Sequence, residues 1–188
     1  MKKFIIAALF GFAVAFSSTA FAQIQAIGVG GGLAFPSGSF GNVAGSGFGA
    51  NVRGFYKYEG LDNILLTGTI GYFRFGEKDV TFFGQSAGFG YKWSLIPIMS
   101  GGRYYFGDPE AKTRFFAGAE VGVHIYSVSL SDDSNTLGSG ALTGSSEFAL
   151  QPMVGVAFGP FQVYGEYSLA DLNYLGLKAM FVFPVGKK

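Results

Sequence analysis

Phe115-Phe116-Ala117-Gly118-Ala119-Glu120-Val121-Gly122-Val123-His124-Ile125-Tyr126 alternates with a period of two over its whole length. Phe115, Ala117, Ala119, Val121, Val123 and Ile125 fall on one side; Phe116, Gly118, Glu120, Gly122, His124 and Tyr126 fall on the other. A helix would repeat every 3.6 residues, so this run is a strand with two chemically different faces. One face carries apolar side chains only. The other mixes glycine with a carboxylate, an imidazole and two large rings. Such a strand divides two environments, and the rest of the chain has to supply its neighbours.

It does so seven more times. About Gln25 to Ala34, Ile27, Val29 and Leu33 oppose Ala26, Gly28, Gly30 and Gly32. From Phe48 to Tyr58, Phe48, Ala50, Val52, Tyr56 and Tyr58 oppose Asn51, Arg53, Phe55 and Lys57; from Ile64 to Phe75, Ile64, Leu66, Ile70 and Tyr72 oppose Thr67, Thr69 and Gly71. A fourth segment runs from Ile96 to Phe106, with Arg103 on the opposite side from Ile98 and Tyr104. Beyond the quoted run, Phe148, Leu150, Val154, Val156 and Phe158 oppose Gln151, Met153 and Gly155; Phe161, Val163, Tyr167 and Leu169 oppose Gln162, Tyr164 and Glu166. Last, Leu175, Leu177, Ala179, Phe181 and Phe183 oppose Gly176, Lys178 and Met180. Three connections, Phe35 to Gly47, Gly76 to about Tyr91 and Ser129 to Ser146, are long and rich in Gly and Ser. Those between them, Glu59 to Asn63, Gly107 to Thr113 and Gly159-Pro160, are short, while the fourth outer one, Ala170 to Asn173, is short as well. Long loops at one end and tight turns at the other predict an all-β, eight-stranded antiparallel up-and-down transmembrane β-barrel with both termini at the short-turn end. Pro97 and Pro152 lack a donor that a closed barrel needs, which predicts local bulges at both or pairing that loosens above the membrane.

Composition decides which face meets lipid. Of 188 residues 31 are Gly and 22 Phe, 18% are aromatic, 49% are hydrophobic, only 13% are charged, and Cys is absent. A water-facing exterior needs roughly 25–35% charged residues, and the polar faces here offer mostly Gly, Ala, Thr and Ser between a few charges. With those faces outward in a bilayer, Arg53, Arg103 and Lys178 would each cost about 2–4 kcal/mol in hydrocarbon. The apolar face is therefore the outer one. Rings near strand ends, Tyr56, Tyr58, Tyr72, Tyr104, Phe106, Phe115, Phe158 and Phe161, suit the two interfacial girdles. The net charge of +1 gives no reason to expect nucleic acid. Without Cys there is neither a disulfide framework nor a thiolate metal site.

The N-terminus has its own pattern. Lys2 and Lys3 precede an apolar run from Phe4 to Phe16, then Ser17-Ser18-Thr19 and Ala20-Phe21-Ala22. That is the form of a secretory signal peptide spanning residues 1–22 and cut after Ala22, since the run is shorter than the ~20 residues that span a bilayer. Residues 23–188 are then the barrel, exported to the outer membrane of a Gram-negative envelope.

The stretch Ile96-Pro97-Ile98-Met99-Ser100-Gly101-Gly102-Arg103-Tyr104-Tyr105-Phe106-Gly107-Asp108, continuing through Phe115 to Gly122, resembles the central hairpin of the small bacterial outer-membrane barrels of the OmpX and OmpW kind. The likeness extends over the mature chain in strand pattern and is specific in that hairpin. It implies insertion into outer-membrane lipid by the barrel-assembly machinery, which reads an aromatic C-terminal signal. Gly176 to Phe181 and Phe183 resemble that signal, and here Pro184-Val185-Gly186-Lys187-Lys188 follow it.

On the lumen face Arg53, Arg103 and Lys178 share an interior with Glu120 and Glu166. Charges so confined are tolerable only as a hydrogen-bonded network, read here as a structural plug or, alternatively, as a gate whose ion pairs exchange. A turn centred near Leu172 sets Glu166 and Lys178 opposite one another. His124, the single histidine, and Tyr126 are polar lumen groups; Ser127 faces away from His124, so a serine–histidine catalytic pair is not formed. Asp132-Asp133-Ser134-Asn135 fails as a calcium loop because Leu137 and Gly144 stand at ligand positions. Gly28 to Gly32 lacks the third spaced glycine of a dinucleotide site. No catalytic residue, metal or cofactor is called for. The expected role is a non-enzymatic envelope barrel presenting mobile loops to a surface partner, with Gly47-Phe48, Phe82-Phe83 and Ala141-Leu142 as their apolar anchors. The alternatives are a narrow, porin-like conduit for small or hydrophobic solutes, which the OmpW resemblance implies, and a soluble periplasmic lipid carrier. Nothing in the lipid-facing pattern demands more than a monomer.

Overall fold

A computed structural model describes residues 24–57, 63–77, 79–82, 85–132 and 141–185. Its strands are β1 (Ile24–Pro36), β2 (Gly47–Lys57), β3 (Ile64–Phe75), β4 (Asp79–Phe82), β5 (Gln85–Tyr105), β6 (Thr113–Asp132), β7 (Ala141–Phe158), β8 (Phe161–Ser168) and β9 (Tyr174–Pro184), with one short helix, α1 (Phe40–Val43), between β1 and β2. Pairing is antiparallel throughout. β1 pairs with both β2 and β9, and β3 pairs directly with β5, so eight strands close on themselves while β4 pairs with β5 outside the ring. The fold is a closed eight-stranded up-and-down barrel. The proposed signal segment and its cleavage point at Ala22 lie outside the described residues.

The alternation holds around the ring. In β6 Phe115 is 67% exposed and Phe116 1%; in β7 Phe148 is 70% exposed, while Ala149 is fully buried. Val29, Leu33, Val52, Ile70, Val121, Val154, Val163 and Leu177 complete the outward apolar belt, bordered by Tyr72, Tyr104, Phe106, Phe158 and Phe161. A water-soluble carrier would not expose so continuous a belt. The interior, moreover, is filled with charged and aromatic side chains rather than left as an oily cavity.

Two expectations need correction, and a third, for the prolines, holds only as loosened pairing without a bulge. The second and third long connections are largely strand: β4 and the start of β5 occupy 79–82 and 85–90, and β6 and β7 run on to Asp132 and back to Ala141. These stretches lack the apolar alternation that marks a strand from sequence, yet their backbones continue the pairing of the ladders. Gly47, Phe82, Ala141 and Leu142 accordingly belong to strands and not to loops, Phe48 lies in β2 as its alternation requires, and Phe83 lies outside the described residues. Pro97 and Pro152 produce no register shift. The β3–β5 ladder skips from Ile70↔Ile98 to Phe73↔Leu95, and β7–β8 pairing lapses between Met153↔Glu166 and the isolated bridge Leu150↔Leu169. Each proline thus sits in a local gap in one ladder and keeps its partner in the other, His124 for Pro97 and Ala119 for Pro152.

Candidate functional site: a charged lumen between two aromatic layers

Inward-facing positions divide into three levels. Near the short turns Phe55, Tyr105, Phe116, Met153, Tyr164 and Met180 form one buried cluster. At the opposite end Phe40, Phe73, Phe75, Leu95, Tyr126 and Tyr174 form another, with Ala34 and Ala44. Arg53, Glu120, Glu166 and Lys178 lie between them, each 4% exposed or less.

Arg53 is the hub. Its Nη2 donates to Glu120 Oε2 at 2.8 Å and its Nε to Glu120 Oε1 at 3.1 Å, a two-pronged ion pair. Nε also donates to Thr69 Oγ1 at 2.7 Å, and Nη1 to the Tyr164 hydroxyl at 3.0 Å. Thr67 and Thr69 hydroxyls donate to Glu120 Oε1 at 2.6 and 2.9 Å. Arg53 projects from β2, Glu120 from β6 and Tyr164 from β8, each three strands from Arg53 around the ring in opposite directions. One guanidinium therefore ties together three sides of the wall and occupies the axis of the barrel. Such charge-assisted bonds are the strong ones, and their lone pairs and protons are mostly satisfied.

The other charges are arranged around that hub. Lys178 Nζ meets Glu166 Oε1 at 2.5 Å and sits 4.4 Å from the centre of the Phe73 ring. The two strands do not set this pair opposite one another as expected: Glu166 ladders with Gly176 and Lys178 with Tyr164. The hairpin centres on Asp171, one residue before Leu172, so the pair closes along a diagonal that a lysine can span. Gln151 Nε2 links the Tyr174 hydroxyl at 2.6 Å with Glu166 Oε1 at 3.5 Å. Arg103 meets no carboxylate among the described residues. Its Nη1 donates to Gln162 Oε1 at 2.7 Å, and its guanidinium lies 4.5 Å from Phe116, 4.7 Å from Tyr164 and 5.5 Å from Phe55. Aromatic faces take the place of a counter-ion there. His124 shares a 3.1 Å hydrogen bond through Nδ1 with the Tyr126 hydroxyl and stacks on Tyr174 at 6.0 Å; that hydroxyl donates on to Leu172 O at 3.3 Å. Ser127 lies on the exposed face, away from His124, and among the described residues no group of His, Asp and Glu is placed to hold a metal ion.

Every one of the five lumen charges is laddered on one side to glycine: Arg53 to Gly28, Arg103 to Gly118, Glu120 to Gly101, Glu166 to Gly176 and Lys178 to Gly32. The reason is space. A Cβ on Gly101 would run into Ala119 O and Glu120 Cα, and one on Gly32 into Leu177 O and Lys178 Cα. An eight-stranded barrel is just wide enough to be filled by side chains, so a long charged group needs a neighbour without one. Thr67, Thr69, Tyr164, Gln151, Gln162 and Tyr174 are uncharged members of the network that charge alone does not point to. All share the inward parity of the charges, and that parity was the available signal.

The mouth opposite the short turns is closed by the first connection, expected as a mobile loop. Ser37 N donates to Asn173 O at 2.9 Å, Gly45 N to Gly76 O at 3.0 Å and Gly76 N to Ser46 O at 3.0 Å. Between those ties α1 turns Phe40 inward, where it is fully buried. Its ring meets Phe75 at 5.0 Å, Trp93 at 5.4 Å and Tyr126 at 6.5 Å, all edge-on. At the rim Glu147 caps the shortest outer connection by accepting from Asp171 N at 2.9 Å and Leu172 N at 3.4 Å.

Solved structures share this architecture. Neisserial surface protein A matches with a TM-score of 0.55 at 14% identity over 85% of this chain and 96% of that one. A major outer membrane protein of Thermus thermophilus matches at 0.51, 14% identity, 85% of this chain and 99% of that one. Ail, the attachment invasion locus protein of Yersinia pestis, solved with the heparin analogue sucrose octasulfate, matches at 0.50, 11% identity, 86% of this chain and all of that one. No protein-family model matches the sequence, and no curated protein does.

Proposed function

We propose, from the premise that this chain has the fold of the small eight-stranded outer-membrane β-barrels, that it is an integral outer-membrane protein with a closed lumen. Its role on this reading is structural and surface-facing rather than catalytic, with both mature termini on the periplasmic side and the ends of β5, β6 and β7 standing outside the cell. The observation that carries the reading is the Arg53 hub, which joins β2, β6 and β8 across the axis beneath a mouth already sealed by Phe40. Both stand in the way of a solute moving along the axis. The apolar belt supplies the other half, since a bilayer is the solvent that favours it. The surface role draws support from two proteins of similar fold, a surface protein and an attachment protein. Membrane insertion through the barrel-assembly machinery and action as a monomer belong to the same reading.

Cell fractionation combined with heat-dependent gel migration tests it. The expected result is a protein found with the outer membrane that runs faster unheated than boiled, and whose outer strand ends are trimmed by protease on whole cells. Recovery in the soluble periplasm would overturn the reading, as would protease trimming confined to opened cells.

A further inference from the structure

Phe40 comes from a connection and not from the barrel wall, yet it is among the most deeply buried side chains in the molecule. What holds it differs from what holds any strand residue. α1 has four residues, far below the roughly 12–15 at which a helix persists in water without tertiary support. Ser39 at its start makes no side-chain capping bond, and the helical bonds Gly41 N to Ser37 O, Asn42 N to Ser39 O and Ala44 N to Phe40 O are internal to the segment. Gly38, just before it, has a φ of +58°, a conformation glycine adopts freely. The segment is tied at both ends and seated in the middle by a ring.

The receptacle for that ring is built by the barrel. Phe75 of β3, Trp93 of β5 and Tyr126 of β6 surround it with interplanar angles of 72°, 79° and 70°. Three edge-on contacts favour an aromatic occupant over an aliphatic one of equal volume. Trp93 Nε1 is a buried donor with no hydrogen-bond partner among the described residues. Tyr126 is itself fixed by its hydroxyl bond to Leu172 O, and Phe75 by an edge-on contact with Tyr174 at 5.9 Å, so the rings around Phe40 are held from behind.

We propose that the outer mouth is a binding site for a single-ring aromatic molecule, with Phe40 as an internal occupant that such a molecule displaces. Phe40 competes at the effective concentration set by its short tether. Removing its ring therefore exposes the site. Benzyl alcohol is the probe, with n-hexanol as a control of similar size without a ring. Trp93 is the single tryptophan of the chain, so its fluorescence reports the site directly. In refolded Phe40→Ala, checked for an intact barrel by heat-dependent migration, Trp93 emission should shift to the red and acrylamide should quench it more strongly than in the wild type. Benzyl alcohol should reverse both changes saturably in the variant, and at lower concentration than it perturbs the wild type; hexanol should not. Phe40→Leu, which keeps apolar volume, is read in the same way if the alanine variant does not refold, and Phe48→Ala, on the lipid face, should leave Trp93 unchanged. Emission of the Phe40 variants equal to wild type would overturn the proposal. So would a response that does not saturate, or that hexanol reproduces.

Discussion

The middle of the lumen and its outer mouth are both closed, but by different means. In the middle, Arg53 and Glu120 are strand residues held by a two-pronged ion pair, two threonines and a tyrosine. At the mouth, Phe40 is a loop residue held by ring edges. A charge buried in the middle cannot be released singly, because the partner left behind loses its solvation without compensation. A ring at the mouth leaves at the cost of apolar contact alone. The middle should be a fixed part of the wall and the mouth its adjustable part.

Substitutions can break that contrast. Glu120→Ala leaves the Arg53 guanidinium buried and unpaired and should lower stability by about 3–5 kcal/mol, read as the urea midpoint of the refolded barrel. Adding Arg53→Met to it should recover part of that loss, because an apolar pair of similar volume is cheaper to bury than a lone charge. A double variant as unstable as the sum of the singles would show that the two residues do not act as a pair. Lys178→Ala should cost less, about 2–3 kcal/mol, since Glu166 keeps the Gln151 amide at 3.5 Å; an unchanged midpoint would remove the pair from the account. Gly101→Val tests the space argument and should cost about 1–3 kcal/mol through overpacking against Glu120. At the mouth Phe40→Ala should move the global midpoint by only about 1 kcal/mol, since local opening need not unfold the ring of strands. A loss as large as that of Glu120→Ala would erase the distinction between the regions. Lys92→Ala should do least, within about 1 kcal/mol, because its 2.6 Å pair with Glu77 is more than a third exposed.

The same contrast explains what the sequence disclosed. In β6, parity alone places Glu120 and His124 in the lumen, because lipid on one side and a filled interior on the other force opposite chemistry onto alternate residues. Parity places Arg53, Arg103, Glu166 and Lys178 inward for the same reason. Their partners were not legible in full. Arg53 reaches Glu120 across the axis, a distance set by strand stagger around the barrel and not by spacing in the chain. The Glu166 and Lys178 relation was displaced because misplacing a turn centre by one residue moves a cross-strand partner by two. The mouth was less legible still. Phe40 sits among Ser39, Gly41 and Asn42 with no alternation, and the rings it seats against come from β3, β5 and β6. The extensions of β5, β6 and β7 carry no apolar alternation, so only their hydrogen bonds mark them as strand.

A lumen shut by its own side chains carries no ions, so in planar-bilayer recording of the purified, refolded wild-type protein the current should stay at the bare-lipid baseline at all voltages the membrane withstands. Discrete, reproducible conductance steps from the wild-type protein would contradict it and would turn the Arg53–Glu120 pair from a plug into a gate.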